Sequence, residues 1–157
     1  MQEPTVIHST FVIERSYPKP IELVFSAFSD PAKKRRWFGD AATHDVETFE
    51  MDFRVGGRER TSYRMNATTP FPGATLSTDG TYHDIVPNRR VVLASTMSLG
   101  EGHISTALVT IELLPTETGT DLICTHQGAF FEGSDGPNMR EAGWNRLFDQ
   151  LTAMLSA

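Results

Sequence analysis

A chain of 157 residues with 39% hydrophobic and 22% charged content is long enough to bury one substantial core, and one domain spanning residues 1–157 is the expected organisation. Its net charge of −6 argues against general affinity for nucleic acid or an anionic membrane surface. No run approaches the roughly 18 apolar residues of a membrane-spanning helix, so membrane insertion is not expected. Met1-Gln2-Glu3-Pro4 lacks the basic-then-apolar pattern of a secretory signal, and the lone Cys124 forms no internal disulfide; both point to a cytoplasmic protein.

Thr10 to Tyr17 alternates, with Phe11, Ile13 and Arg15 on one side and Val12, Glu14 and Ser16 on the other. It predicts a first strand that Pro18 and Pro20 stop. Ile21, Val24, Phe25 and Phe28 then recur at the spacing of one helical stripe, and Pro20 suits a helix start. Ser29-Asp30-Pro31 breaks that helix, and Asp30 is placed to cap a second short one ending near Gly39. The second helix carries Lys33-Lys34-Arg35-Arg36. This run reads first as a solvated face, with a docking patch for an acidic partner as the alternative.

Strands are expected over Asp45–Phe53, Arg58–Met65, Leu76–Val86, Arg90–Ser98, Ile104–Leu114 and Asp121–Gln127. Gly56-Gly57, Pro87-Asn88, Gly100-Glu101-Gly102 and Thr116–Gly119 are the turn signals between them. Pro70–Gly73 reads as loop, within a segment Asn66–Ser77 that has the composition of a mobile lid. A loop at Gly133–Pro137 leads into a last helix whose apolar stripe is Trp144, Leu147, Phe148, Leu151, Met154 and Leu155. Strands segregated from helices indicate an α+β fold.

The ordered set of motifs resembles a known family. It runs from Pro20-Ile21-Glu22-Leu23-Val24-Phe25 through Ser29-Asp30-Pro31 with Trp37-Phe38-Gly39, then Asp52 to Arg60, then Gly80 to Pro87. Val109 to Leu113, Gly119 to Leu122, and Gly143-Trp144 ahead of Leu147 complete it. The chain is similar to the activator of heat-shock protein 90 ATPase homologues, a branch of the START-related (SRPBCC, helix-grip) superfamily. That resemblance implies a curved antiparallel sheet wrapped around a long C-terminal helix, two short helices after the first strand, and a cavity between sheet and helix. It also implies binding of a hydrophobic or amphipathic small molecule. An enzyme of cyclase or hydrolase type using the same cavity is a second implication, and a co-chaperone-like interaction module a third.

Glu59 shares a strand face with Thr61, Tyr63 and Met65. If that face is inward, the carboxylate enters an apolar enclosure at a desolvation cost and needs a partner, with Arg54, Arg58 and Arg60 the candidates, or a raised pKa. On the last strand Leu122, Cys124 and His126 share the face that the resemblance turns toward the helix. There His126 is a structural histidine bonded to a neighbouring strand or Trp144, or a polar contact for a ligand. Leu93, Ser95 and Met97 share one face, and relatives often carry larger aromatics at the first two positions, which implies a wider pocket here. Tyr63 and Tyr82 offer orienting hydroxyls, Trp144 and Phe148 offer flat apolar area, and Trp37-Phe38 is expected at the cavity mouth. Core packing is the alternative role for each aromatic. The expected ligand-contact set is therefore Trp37, Glu59, Thr61, Tyr63, Tyr82, Leu93, Ser95, Met97, His126, Trp144 and Phe148. Glu59 and His126 are the only candidates for acid–base work. Five histidines without ligand-like spacing give no reason to expect a metal, and no cofactor is expected. A homodimer and a protein partner both stay open.

Overall fold

The opening alternation becomes strand β1, Ile7–Tyr17, with Phe11, Ile13 and Tyr17 buried and Val12 and Glu14 exposed, in a computed structural model that describes residues 5–40, 44–69 and 71–157. Met1–Pro4 and Pro70, on which the leader and loop expectations partly rested, lie outside the described residues. Helix α1, Ile21–Ser29, buries Val24, Phe25, Ala27 and Phe28. Asp30 caps α2, Pro31–Lys34, by accepting a hydrogen bond from the Ala32 amide at 3.0 Å. The chain then widens into a π-helical turn over Arg35–Gly39, a geometry that inserts an extra residue into the helical ladder and re-aims the side chains after it.

Six strands follow: β2, His44–Met51; β3, Arg58–Met65; β4, Thr75–Val86; β5, Arg90–Leu99; β6, Gly102–Pro115; and β7, Thr120–Phe130. Helix α3, Pro137–Ser156, closes the chain. All seven strands form one curved antiparallel sheet in the order β1-β7-β6-β5-β4-β3-β2. Because β1 and β2 are opposite edges, α1, α2 and the π turn carry the chain across the sheet. The result is the α+β helix-grip arrangement. No described helix is long and apolar enough to cross a membrane.

Between β2 and β3 the backbone folds sharply at Gly56, where φ is +85°, and at Gly57, where an added Cβ would collide with the Asp52 carbonyl. Only glycine fits both requirements. The Gly56 amide then donates to the Tyr82 carbonyl at 2.8 Å, and the Tyr82 amide to the Gly57 carbonyl at 3.0 Å, which pins this turn to β4. The sealed core lies under β1, β6 and β7, where Ile13, Ile111, Leu113, Leu122 and Cys124 meet Val24, Phe148, Leu151 and Leu155 from the helices.

Candidate functional site

Strand register gathers the expected residues into adjacent rows across the concave face. One row runs Glu59, Gly80, Ser95, Ala107, Gly128. The row on one side is Tyr82, Leu93, Val109, His126, Phe11. The row on the other is Thr61, Thr78, Met97, Ser105, Phe130. Tyr63 lies one step beyond, opposite Leu76. Helix α3 brings Trp144 edge-on to His126, with ring centroids 6.2 Å apart, and places Phe148 in the core.

Glu59 is 2% exposed, and its partner is Lys34: Nζ donates to Oε2 at 2.7 Å, and the lysine side chain is only 8% exposed. The same oxygen accepts a short hydrogen bond from the Tyr82 hydroxyl. This corrects the expected pairing with arginine. Arg58 and Arg60 alternate to the opposite face and Arg54 sits in the turn, where they pair with Asp79, Glu50 and Asp52 respectively. It also corrects the solvated reading of the basic run, of which Arg35 and Arg36 are exposed but Lys34 is buried. The signal for Lys34 was its spacing: positions 34, 37 and 38 share one helical face, so the stripe through Trp37 and Phe38 extends back to it.

The π turn sends these two aromatics to different places. Trp37 is 1% exposed, so it packs in the core and not at a mouth. Its indole N–H donates to the Ala27 carbonyl at 2.8 Å, and its ring stacks on Phe148 at 6.0 Å. Phe38 stays half-buried, 5.9 Å from Trp144, with the Lys34 ammonium 4.7 Å from its ring centre.

A second, part-buried ion pair stands at the N-terminal end of α3. Arg140, which sequence reasoning passed over although it lies four residues before Trp144 on the same stripe, is 6% exposed. It binds both carboxylate oxygens of Asp135 at 2.8 Å, donates to the Ser105 hydroxyl at 2.9 Å, and lies 5.0 Å from the centre of the Phe130 ring. Burial alone would raise the Asp135 pKa, but the hydrogen bonds and charge of Arg140 outweigh it, so the carboxyl sits below its ordinary range.

His126 does not hydrogen-bond to a neighbouring strand or to Trp144. Its ring stacks on Phe11 at 4.5 Å and 8°, and its Nδ1 has no hydrogen-bond partner among the described residues. Burial, reinforced by the Arg140 charge, lowers its pKa to about 4, which keeps the imidazole neutral at pH 7. The Tyr63 hydroxyl is likewise buried without a hydrogen bond of sound geometry among the described residues. Burial pushes that phenol up, opposed by Thr61 and assisted by Glu59. Tyr82 is raised by burial and by the Glu59 charge beside it. Glu59 and His126 do not bond to each other, so they form no acid–base pair here.

The concave face is not sealed evenly. Leu93, Ser95, Met97, Thr78, Leu76 and Trp144 remain half-buried, while Val109, Leu122, Cys124 and Phe148 are covered. The backbone of α3 comes nearest to β1 and the π turn. Some of the room left by small residues is already used: an added Cβ on Gly80 would meet Leu93 Cδ1 at 3.0 Å, and one on Gly128 would meet Phe130 Cε2 at 2.8 Å. A separate depression of about 400 Å³ lies on the convex face, lined by Ser77, Asp79, Thr96, Ser98, His103, Thr106 and Phe131.

Residues 18–156 match the model of the family described as "Activator of Hsp90 ATPase homolog 1-like protein". The chain belongs to this family. Among solved structures, the Mll3558 protein of Rhizobium loti is 41% identical, with a TM-score of 0.82 over 96% of this chain and 99% of that one. An uncharacterised protein of Rhizobium leguminosarum is 35% identical, with a TM-score of 0.89 over 96% of both chains. Protein CV1439 of Chromobacterium violaceum is 26% identical, with a TM-score of 0.77 over 94% of this chain and 97% of that one. No protein with curated annotation matches the chain. The family fold therefore rests on sequence and structure together.

Proposed function

We propose that this protein binds a hydrophobic or amphipathic small molecule in the trough between β3–β5 and the N-terminal half of α3, acting as one domain in the cytoplasm. The observation that carries the reading is the half-burial of Leu93, Ser95, Met97 and Trp144 on a face whose other half is sealed core. Apolar area left uncovered on a concave surface gains free energy when a ligand covers it, about 25 cal/mol per Å². In this reading Leu93, Ser95 and Met97 form the floor, and Trp144 and Phe38 the wall. Thr61, Tyr63, Tyr82, Glu59 and His126 set the polarity of the two ends, while Trp37 and Phe148 support the wall from the core. Lys34 and Tyr82 already engage Glu59, which favours a structural role for that carboxylate over acid–base turnover.

Native mass spectrometry of freshly purified protein tests the reading. A stoichiometric small-molecule adduct is expected, one that raises the melting temperature on re-addition and is lost in Ser95→Trp, which fills the floor. An adduct retained at full occupancy by a folded Ser95→Trp variant would place the site elsewhere.

A further inference from the structure

We infer that the ligand of the trough is uncharged, a largely apolar molecule whose polarity is confined to groups such as a carbonyl or hydroxyl. The inference deepens the ligand-binding reading above and rests on it.

Its basis is charge accounting on the concave face. Among the described residues, the charged side chains that the register or α3 turns toward this face are Arg15, Glu59 and Arg140, and each is paired within the chain: Glu59 with a buried lysine, Arg140 with the part-buried Asp135, and Arg15 with the solvent-exposed Asp149. Glu59 holds Lys34 at 2.7 Å, Arg140 holds Asp135 at 2.8 Å, and Arg15 holds Asp149 at 3.2 Å. Lys34 and Arg140, the two buried cations, also lie over the Phe38 and Phe130 rings. The titratable groups on the inner face of β7, His126 and Cys124, are both neutral at pH 7, because burial lowers the imidazole and raises the thiol. The N-terminus of α3, which would otherwise favour an anion, already has the Asp135 carboxylate beside it.

An anionic or cationic ligand would therefore lose its hydration without gaining a counter-charge, unless it displaced Asp135 or Lys34 from a formed pair. That exchange leaves another buried ion unpaired, the costly case. A neutral ligand meets no such cost. The surface it would cover suits it: Leu76, Leu93, Met97, Phe38 and Trp144 supply apolar area, and the hydroxyls of Ser95 and Thr78 are small polar contacts that need no ionic partner.

Isothermal titration calorimetry at pH 7 with three probes of one shape tests this: 2-acetylnaphthalene, 2-naphthoate and 2-naphthylmethylammonium. The ketone is expected to bind at least tenfold more tightly than either ion. Asp135→Asn, by releasing the Arg140 charge, is expected to strengthen naphthoate binding at least fivefold while ketone binding stays within about twofold. Should that variant fail to fold, the wild-type ranking decides alone. An ion that binds as tightly as the ketone, at a site closed by Ser95→Trp, would overturn the inference and leave the trough reading standing. Ketone binding indifferent to Ser95→Trp, or no binding by any probe, would overturn both.

Discussion

Lys34 and Glu59 come from elements 25 positions apart and meet at 2.7 Å with both side chains removed from solvent. The contact ties α2 and the π turn to β3, and through the Tyr82 hydroxyl to β4. It also fixes the ammonium above Phe38, whose ring in turn packs against Trp144. One ion pair thereby joins the sheet to the aromatic wall.

Lys34→Met leaves the Glu59 carboxylate buried without its cation, and removing one partner of a buried pair costs roughly 3–5 kcal/mol. Urea unfolding should report a loss of that size. Adding Glu59→Gln, whose amide oxygen still accepts from Tyr82, should restore more than half of it. A single variant within about 1 kcal/mol of the wild type would mean that the pair is open to solvent in solution.

His126 makes stability depend on pH in a defined window. Its folded pKa of about 4 lies below the unfolded value of about 6.5, so below pH 6.5 the unfolded chain takes up a proton that the native one refuses. Stability is complete above pH 6.5 and falls as pH drops toward 4, by a few kcal/mol in all. His126→Phe, which keeps a ring against Phe11, should flatten the curve between those limits. Parallel curves for the two proteins, measured by urea unfolding from pH 7 to 4, would show that the imidazole is hydrated in the native state.

Much of this fold was legible because alternation and turn residues are local signals. Arg58–Met65 is a strand with the bounds its pattern predicts, and Asp30 caps α2 as its position before Pro31 required. The inward direction of Glu59, Thr61, Tyr63 and Leu93 follows from period two alone. What stayed hidden depends on contacts between distant elements. The partner of Glu59 could not be read, because nearby arginines compete on proximity in sequence while strand pleating turns them outward. Trp37 and Phe38 are adjacent, and contacts with α1 and α3 decide that one enters the core while the other stays half-buried. Arg140 gave no signal in the sequence, because its partners come from elsewhere: Ser105 from β6 and Asp135 from the preceding loop.

Gly128 is a packing requirement, not a turn. Its backbone carries no positive φ, yet an added Cβ would stand 2.8 Å from Phe130 Cε2 and 3.0 Å from His126 Cε1. Those rings lie down over β7 because nothing projects there. Gly128→Ala should force one of them off its rotamer and cost ~1–3 kcal/mol by overpacking. A stability gain, as expected for Gly→Ala in an unencumbered strand, would show that the rings have room to yield.

Cys124 offers a probe of how firmly the sheet is closed. It is fully buried on the inner face of β7, and burial pushes its thiol up to about 12. Both access and thiolate formation are therefore suppressed in the native state, whereas an unfolded cysteine near 8.5 reacts readily at pH 8. Iodoacetamide labelling should be at least about a thousandfold slower than that of a free thiol, and should accelerate with urea along the same curve that reports global unfolding. Fast labelling without denaturant would mean that β7 detaches from β1 or β6 by a local opening. Such an opening would expose His126 as well and weaken the pH dependence derived above.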